Sequence, residues 1–371
     1  MAGAASVSWP RALAWRLRRQ LLDPMPDASP SEVVQRLGAV PALPEHLAEL
    51  AVAARRRDAQ RGDVAAAVAD GSIIKAYAFR GAVHLMTPQD GGAFLALRAA
   101  SRMWERSSWQ SYYGLTPADW PPFRRAVRDA LADGPVTLDR LGVAVTGEPA
   151  FAHLREVFAN GAGTLIKPLM WQGDMCFGPA REGAATFQRL DANPRWAGIP
   201  ELEEAGPRAV LTYLRAYGPA GSAQLHYWIG EGLGVGRGKI GGWLTALGDR
   251  LAEVDVEGRT LLVDRDDLSE LTATPPTQAV RLLPGYDQWV LGPGTADAHV
   301  VPPARRALVS RKANLVTGGG VLCGTWTTQR DRLAVTWFAE APPPDRDALV
   351  AEAGRLSGFL GTPLDLTIEV R

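Results

Sequence analysis

Groups of helical segments followed by two short strands recur along the chain, and this recurrence limits the folds open to it. The clearest strand pair runs from Leu251 to Val263, where apolar and polar residues alternate on both sides of Glu257-Gly258. Alternation interrupted by such a turn predicts a β-hairpin. Two more hairpins are predicted at 73–88, with Arg80-Gly81 at the turn, and at 169–177. Helices followed by a hairpin are the pattern of a winged helix.

The helices before each hairpin have recognisable ends. Ser29-Pro30-Ser31-Glu32 predicts a helix start in which Ser29 caps and Glu32 closes a capping box. A different texture follows Pro275-Pro276, with strands at 321–326 and 332–338 and a helix at 345–360. We therefore expect an α+β protein with tandem winged-helix modules and a C-terminal β-rich domain. The expected boundaries are 6–110, 111–200 and 201–272 for the three modules and 278–371 for the C-terminal domain.

Charge is balanced over the whole chain but not along it. The sequence has 40 basic and 40 acidic residues. Residues 1–110 contain 14 basic and 10 acidic residues, a net charge of +4, and residues 111–277 contain 16 and 21, a net charge of −5. A uniformly basic surface is excluded, but a local basic face in the N-terminal third is not.

Several common site types are not indicated. Cys176 and Cys323 lack any metal or redox spacing, which indicates a reducing compartment. The triplet Gly318-Gly319-Gly320 lacks the Lys-Ser/Thr of a phosphate loop. No metal-ligand spacing connects the histidines, among them His46, His153, His226 and His299. Arginines interrupt the apolar pattern of the first twenty residues, and no run approaches the roughly 18 apolar residues of a membrane helix. We expect a cytoplasmic bacterial protein with no metal, cofactor or membrane contact.

Five residue strings occur in an order that matches one family. They are Phe79-Arg80-Gly81-Ala82-Val83-His84-Leu85, Pro168-Leu169-Met170-Trp171-Gln172-Gly173-Asp174-Met175-Cys176-Phe177, Tyr217-Gly218-Pro219-Ala220 with Trp228-Ile229-Gly230, Leu283-Pro284-Gly285-Tyr286-Asp287, and Gly324-Thr325-Trp326. The sequence resembles the bacterial winged-helix DNA-binding family that includes glycosylases for crosslinked and bulky alkylated purines, of the antibiotic self-resistance type. The resemblance implies tandem winged helices around a DNA-sized channel. It also implies double-stranded DNA, alkylated or crosslinked, as the partner.

The chain departs from this family at the catalytic motif. The resemblance implies a Gln-x-Gln or Gln-x-Asp pair just after the second helix, but Pro41 and Leu43 occupy the two polar positions here. Hydrolysis of an N-glycosidic bond needs an oriented water and stabilisation of oxocarbenium-like charge. Proline and leucine side chains supply neither, so lost or altered catalysis is expected. A second departure follows Trp289, where Leu291-Gly292-Pro293-Gly294 replaces a tyrosine- and arginine-rich string.

Other residues are candidates for the missing chemistry and for DNA contacts. Glu45 and Asp287 are the candidates for a relocated catalytic group, although the first is typical of a helix first turn and the second of a turn former. The candidates for DNA binding are Arg55, Arg56, Arg57, Arg80, His84 and Trp171. Each also has a structural interpretation: the triplet as a solvated helix end, Arg80 in a surface ion pair, His84 as a structural hydrogen-bonder and Trp171 in a core between modules.

Three functions remain open from the sequence. The first is a DNA-binding protein related to alkylpurine and crosslink glycosylases, with lost or altered catalysis, acting in damage recognition or genotoxin self-resistance. The second is an active DNA glycosylase that excises bulky alkylated purines with relocated catalytic residues. The third is a scaffold that does not bind DNA, which the neutral charge allows. Salt-dependent duplex binding separates the third from the others, and abasic-site formation separates the second from the first.

Overall fold

The computed structural model describes residues 5–371, which form a mixed α+β protein with three β-sheets. The helices of the first half are α1 Trp9–Arg19, α2 Pro30–Leu37, α3 Glu45–Ala53, α4 Asp63–Ala69, α5 Gly91–Ala99, α6 Ser107–Tyr113, α7 Trp120–Ala130, α8 Leu138–Thr146, α9 Arg155–Ala159 and α10 Lys167–Trp171. Those of the second half are α11 Leu202–Tyr217, α12 Ser222–Leu225, α13 Arg237–Leu247, α14 Leu268–Ala273, α15 Gln288–Leu291, α16 Arg306–Ser310 and α17 Arg346–Leu360. None of the helices in residues 5–371 has the length and apolar composition needed to cross a bilayer.

The strands are distributed over sheets of three, five and six members. They are β1 Ala5–Val7, β2 Val40–Pro41, β3 Ile74–Tyr77, β4 Val83–Met86, β5 Val136–Thr137, β6 Met175–Arg181, β7 Ala184–Arg189, β8 Leu251–Val256, β9 Arg259–Asp264, β10 Val280–Leu283, β11 Asn314–Gly318, β12 Val321–Gln329, β13 Arg332–Trp337 and β14 Asp365–Val370.

The six-stranded sheet joins the first two helix-and-hairpin groups. Its order is β2-β4-β3-β6-β7-β5, and the hairpins β3–β4 and β6–β7 meet where Lys75 pairs with Phe177. The short strand β2 lies at one edge, antiparallel to β4, and there Pro41 pairs with His84. The segment around Pro41 is therefore built into the same sheet as the first hairpin.

Local sequence signals account for the elements around this edge. The hairpin predicted at 73–88 is confirmed, with Arg80 and Gly81 at its turn in left-handed conformations, φ of 51° and 67°. The capping box at α2 is also confirmed, since the Glu32 amide donates to Ser29 Oγ (3.2 Å) and the Ser29 amide donates to the Glu32 carboxylate (2.7 Å). Both features are decided by residues within a few positions of one another.

The prediction of a strand, turn and strand at 169–177 is wrong. Residues Lys167–Trp171 form helix α10, and only β6, from Met175, is a strand. Leu169, Met170 and Trp171 are all buried. A short run that is apolar at every position has no periodicity with which to distinguish a buried helix from a buried strand.

The other two sheets organise the rest of the chain. The hairpin predicted at 251–263 is confirmed as β8–β9, and β1 adds to it as a parallel strand through the pairs Ala5–Val254 and Val7–Val256. The five-stranded sheet runs in the order β10-β11-β12-β13-β14, and α17 packs on it through buried residues that include Leu349 and Leu356. The start of the described chain is thereby attached to a sheet formed some 250 residues later.

The turn of the first hairpin is anchored in an aromatic cluster. The centroid of the Phe79 ring lies 4.6 Å from that of Trp228 and 5.4 Å from that of Phe94. The Trp228 and Phe94 centroids lie 5.5 Å apart. Phe94 belongs to α5, and Trp228 to a π-helical segment, His226–Glu231, that follows α12. The cluster holds the hairpin turn against two elements distant in sequence, which fixes the position of the residues described next.

Candidate nucleic-acid interface

The segment Pro41-Ala42-Leu43 presents two apolar side chains at the sheet edge. Pro41 is half-buried, Ala42 is buried and Leu43 is 57% exposed. The Ala42 amide donates to the Val83 carbonyl (2.9 Å), which fixes the segment against β4. Neither Pro41 nor Leu43 offers a side-chain donor or acceptor, so a water beside them would have to be oriented by other groups.

His84, the partner of Pro41 in the strand pairing, is buried. Its side chain is next to Phe79, at 5.3 Å between ring centroids, and Nδ1 lies 3.0 Å from the Ala82 carbonyl oxygen. Burial lowers the pKa of His84 to about 4, against the opposing effect of the Ala82 hydrogen bond and with a further lowering by the Arg80 charge. The imidazole is therefore neutral at pH 7.

The prediction that His84 faces DNA from an exposed strand face is wrong. His84 does alternate with Val83 and Leu85 along the strand, but all four residues of β4 are buried. Helix α5 covers the sheet so closely that a Cβ on Gly91 would lie 2.8 Å from Ile74 and 3.3 Å from Met86. A strand with both faces covered gives a polar residue no exposed side.

Arg55 and Asp287 form a fully buried ion pair. The guanidinium donates to both carboxylate oxygens, at 2.7 and 2.8 Å, and also to the Ala51 carbonyl (2.7 Å) and Gln20 Oε1 (3.2 Å). Asp287 accepts from the Trp289 amide as well (2.7 Å). Two predictions are thereby contradicted: Arg55 is not available to a phosphate, and Asp287 is not available as a catalytic group. The reason is tertiary, because the two residues are 232 positions apart.

A further buried hydrogen bond holds the end of α2, from which the chain leads to Pro41. The Tyr217 hydroxyl donates to the Leu37 carbonyl (2.7 Å) at the end of α2 and lies 3.2 Å from Gln288 Oε1. Burial raises the pKa of Tyr217 well above its ordinary value. Because Leu37 precedes Gly38, this contact fixes the start of the segment that leads to Pro41.

Glu45 remains accessible. Its side chain is 70% exposed and its carboxylate pairs with Lys75, whose ammonium also lies over the Phe177 ring at 5.4 Å. Both residues line a cavity of about 720 Å³ between α3, α4, the six-stranded sheet and the C-terminal part of the chain. Other lining residues are Ala42, His46, Glu49, Gly178, Thr328 and Phe359. Of the two predicted candidates for a relocated catalytic group, Glu45 is the one whose side chain is exposed.

The other predicted DNA contacts have different surroundings. Arg56 is occupied, since it pairs with Asp63 and donates to the Ala28 carbonyl. Arg57 is exposed, and no carboxylate of residues 5–371 lies within 4 Å of its guanidinium. Arg80 is also exposed and stacks on Tyr227, 4.4 Å from the ring centroid.

Trp171 does not present its ring to solvent. Only 1% of the residue is exposed, which contradicts the predicted contact with DNA. Its ring instead supports Arg98, whose guanidinium carbon lies 4.5 Å from the ring centroid. Arg98 and nearby Lys167 were missed by sequence reasoning, because isolated cations in separate helices carry no motif.

Within the described part of the chain, no group of three or more His, Cys, Asp or Glu side chains is arranged to hold a metal ion. The polar groups described near Pro41 are a buried neutral histidine, the exposed Glu45 with half-buried Glu49, and the half-buried cation Lys75.

Comparisons with known proteins give consistent results. Residues 34–359 match the family described as DNA glycosylase AlkZ-like. The interstrand DNA cross-link repair glycosylase of Streptomyces sahachiroi is 37% identical over 368 residues, which cover 96% of this chain and 99% of that protein. The solved structure of the Streptomyces sahachiroi DNA glycosylase AlkZ is similar, with a TM-score of 0.92 and 35% identity over 98% of this chain and 100% of that one.

Proposed function

The chain belongs to the DNA glycosylase AlkZ-like family, and from this membership we propose that it binds duplex DNA but excises alkylated bases slowly or not at all. One observation carries the second half of the proposal. Pro41 and Leu43 occupy the positions for which the resemblance implies a pair of polar residues, and neither side chain can hold a water.

Two polar residues that lie close to the segment or were candidates for its chemistry do not replace the missing groups. Asp287 is locked by Arg55, and His84 is buried and neutral. Loss of side chains that orient a nucleophilic water typically slows a reaction by about 100-fold or more. A cationic N7-alkylpurine is already a good leaving group, so slow excision is compatible with this proposal.

We also propose tandem winged helices as the DNA-binding architecture, with modules at 6–110, 111–200 and 201–272 and a C-terminal domain at 278–371. Support comes from the hairpins β3–β4, β6–β7 and β8–β9, each preceded by helices. Arg57 and Arg80 are exposed and have no carboxylate partner among residues 5–371, and they are the proposed phosphate contacts on the first module. The expected role is recognition of alkylated or crosslinked DNA in damage recognition or genotoxin self-resistance.

The alternative function is active excision with a relocated group. The observation that favours it is Glu45, an exposed carboxylate four residues after Pro41 that lines the cavity of about 720 Å³. A carboxylate can activate water as a general base. Under this alternative the parent protein excises alkylpurines and Glu45→Gln removes the activity.

One experiment separates these functions. The protein is titrated against duplex DNA carrying N7-alkylguanine at several salt concentrations, and the same samples are heated in alkali to cleave abasic sites. Salt-dependent binding with little cleavage supports the proposal. Cleavage that disappears in Glu45→Gln supports the alternative, and absence of duplex binding at low salt refutes both.

A further inference from the structure

Two cations from separate helices converge on the turn of the first hairpin. Lys167 Nζ donates to the Gly81 carbonyl (2.9 Å). A Cβ placed on Gly81 would lie 3.5 Å from Lys167 Nζ and 3.9 Å from Arg98 Nη2. Arg98 lies in the last turn of α5 and Lys167 begins α10, so the fold brings together two positive charges that the sequence keeps apart.

No acid in residues 5–371 compensates this pair. The polar contacts of Arg98 and Lys167 are the Met103 sulfur (3.7 Å) and the Gly81 carbonyl, and no carboxylate lies within 4 Å of either. Burial lowers the pKa of Arg98, and burial together with the charge of Arg98 lowers the pKa of Lys167. Other half-buried arginines differ, because Arg124 and Arg128 share the carboxylate of Asp174. Two half-buried like charges without a counter-ion are an unfavourable arrangement unless an external anion completes it.

The cations are held in place by aromatic rings. Arg98 lies over Trp171 at 4.5 Å and Lys167 over Tyr77 at 4.8 Å from the ring centroids. Arg98 Nε is buried and finds no hydrogen-bond partner within the described range 5–371. Its Nη1 comes so close to the backbone that a Cβ on Gly234 would lie 3.0 Å from it. Cation–π contacts fix both groups without neutralising them. Glycines at positions 81 and 234 leave room around the guanidinium.

The position of the two cations indicates which kind of anion would bind there. Exposed Arg80 precedes Gly81 in the hairpin turn, and Gly81 is three residues before His84, which limits their separation to about 11 Å. His84 in turn pairs with Pro41. An anion at Gly81 would therefore lie on the same hairpin that pairs with the Pro41 segment. The planar guanidinium fork and the ammonium point charge suit phosphate oxygens.

We infer that Arg98 and Lys167 form a binding site for one phosphodiester group of duplex DNA, beside the turn of the first hairpin. This inference rests on the proposed DNA-binding function and adds to it the residues that fix the register of the duplex relative to Pro41. Trp171 and Tyr77 act through the two cations by positioning them.

The test compares duplex binding of the parent with the double variant Arg98→Gln, Lys167→Gln over a range of salt concentrations. Loss of about two ionic contacts should weaken binding about 10-fold or more near 100 mM salt and make the dependence of log K on log salt less steep by about 2. The control is Arg125→Gln with Arg346→Gln, which removes the same net charge from two exposed arginines elsewhere. The control should bind like the parent.

Each result has one meaning. If the double variant and the control both bind like the parent, or both lose the same affinity, the phosphate site is wrong while the proposed DNA binding stands. If the parent fails to bind duplex DNA at low salt, the proposed function fails and the inference fails with it. If Arg98→Gln prevents folding, the duplex affinities of Lys167→Gln and Lys167→Arg are compared instead. The first should lose affinity and the charge-retaining second should keep it, and equal affinities would overturn the inference.

Discussion

Pro41 and His84 are paired residues on adjacent antiparallel strands, so the segment with two apolar side chains lies directly beside a buried, neutral imidazole. This relationship decides what the site can do. The sheet edge keeps its place through the Ala42 and Tyr217 hydrogen bonds, while the side chains that would hold a water are absent. We therefore place the proposed change of chemistry at this one short strand, on the fold that the chain shares with its family.

The buried pair predicts a large loss of stability when it is broken. Arg55→Ala leaves the Asp287 carboxylate buried without its partner, which typically costs about 3–5 kcal/mol. Chemical denaturation of parent and variant measures the change in the free energy of unfolding. The control is Arg57→Ala, an exposed neighbour whose removal should change stability by less than about 0.5 kcal/mol. Equal stability of the parent and Arg55→Ala would show that the pair is not formed.

Arg80 should contribute to duplex binding but not to the fold. It is exposed and stacked on Tyr227, and the described part of the chain gives it no carboxylate partner. We expect Arg80→Gln to weaken binding to all duplex sequences and to make the salt dependence less steep by about 1. Fluorescence anisotropy at several salt concentrations measures both quantities. Unchanged affinity at low salt would remove Arg80 from the interface.

Burial of His84 predicts a loss of stability in acid. The folded-state pKa of about 4 is below the ordinary value of 6.5, so the unfolded chain binds the proton more tightly. Stability from this group is complete above pH 6.5 and falls as pH decreases toward 4, by roughly 2 kcal/mol between pH 7 and pH 5. Urea unfolding at the two pH values should show a smaller difference for His84→Gln than for the parent. Exposed His46→Gln is the control and should keep the parental difference.

Local signals in the sequence predicted much of the framework. The hairpin turn at Arg80-Gly81, the capping box of Ser29 and Glu32 and the turn at Glu257-Gly258 each depend on neighbouring residues. The site residues were harder because their exposure depends on distant elements. Arg55 is the end of an arginine triplet in sequence, but Asp287 makes it a core residue. Arg98 and Lys167 meet only because α5 and α10 both pack at the hairpin turn.

Restoring polar groups should restore excision. In Pro41→Gln with Leu43→Gln, side-chain amides return to the positions for which the resemblance implies them, on a backbone already held by Val83 and Tyr217. We expect abasic-site formation on N7-alkylguanine DNA to increase by about 100-fold over the parent. Pro41→Ala with Leu43→Ala is the matched control, since it changes the backbone freedom without adding donors. Equal gains in both variants would assign the effect to the backbone.

We propose that the parent protein binds duplex DNA without efficient excision, and the rate at which the parent forms abasic sites measures this. The protein, in excess over duplex DNA that carries N7-alkylguanine, is sampled over time and treated with alkali. The Streptomyces sahachiroi cross-link repair glycosylase serves as the reference on a crosslinked duplex tested in parallel. We expect the parent to bind the alkylated duplex and the crosslinked duplex and to cleave little of either. Cleavage by the parent at a rate comparable to that of the reference would contradict this proposal.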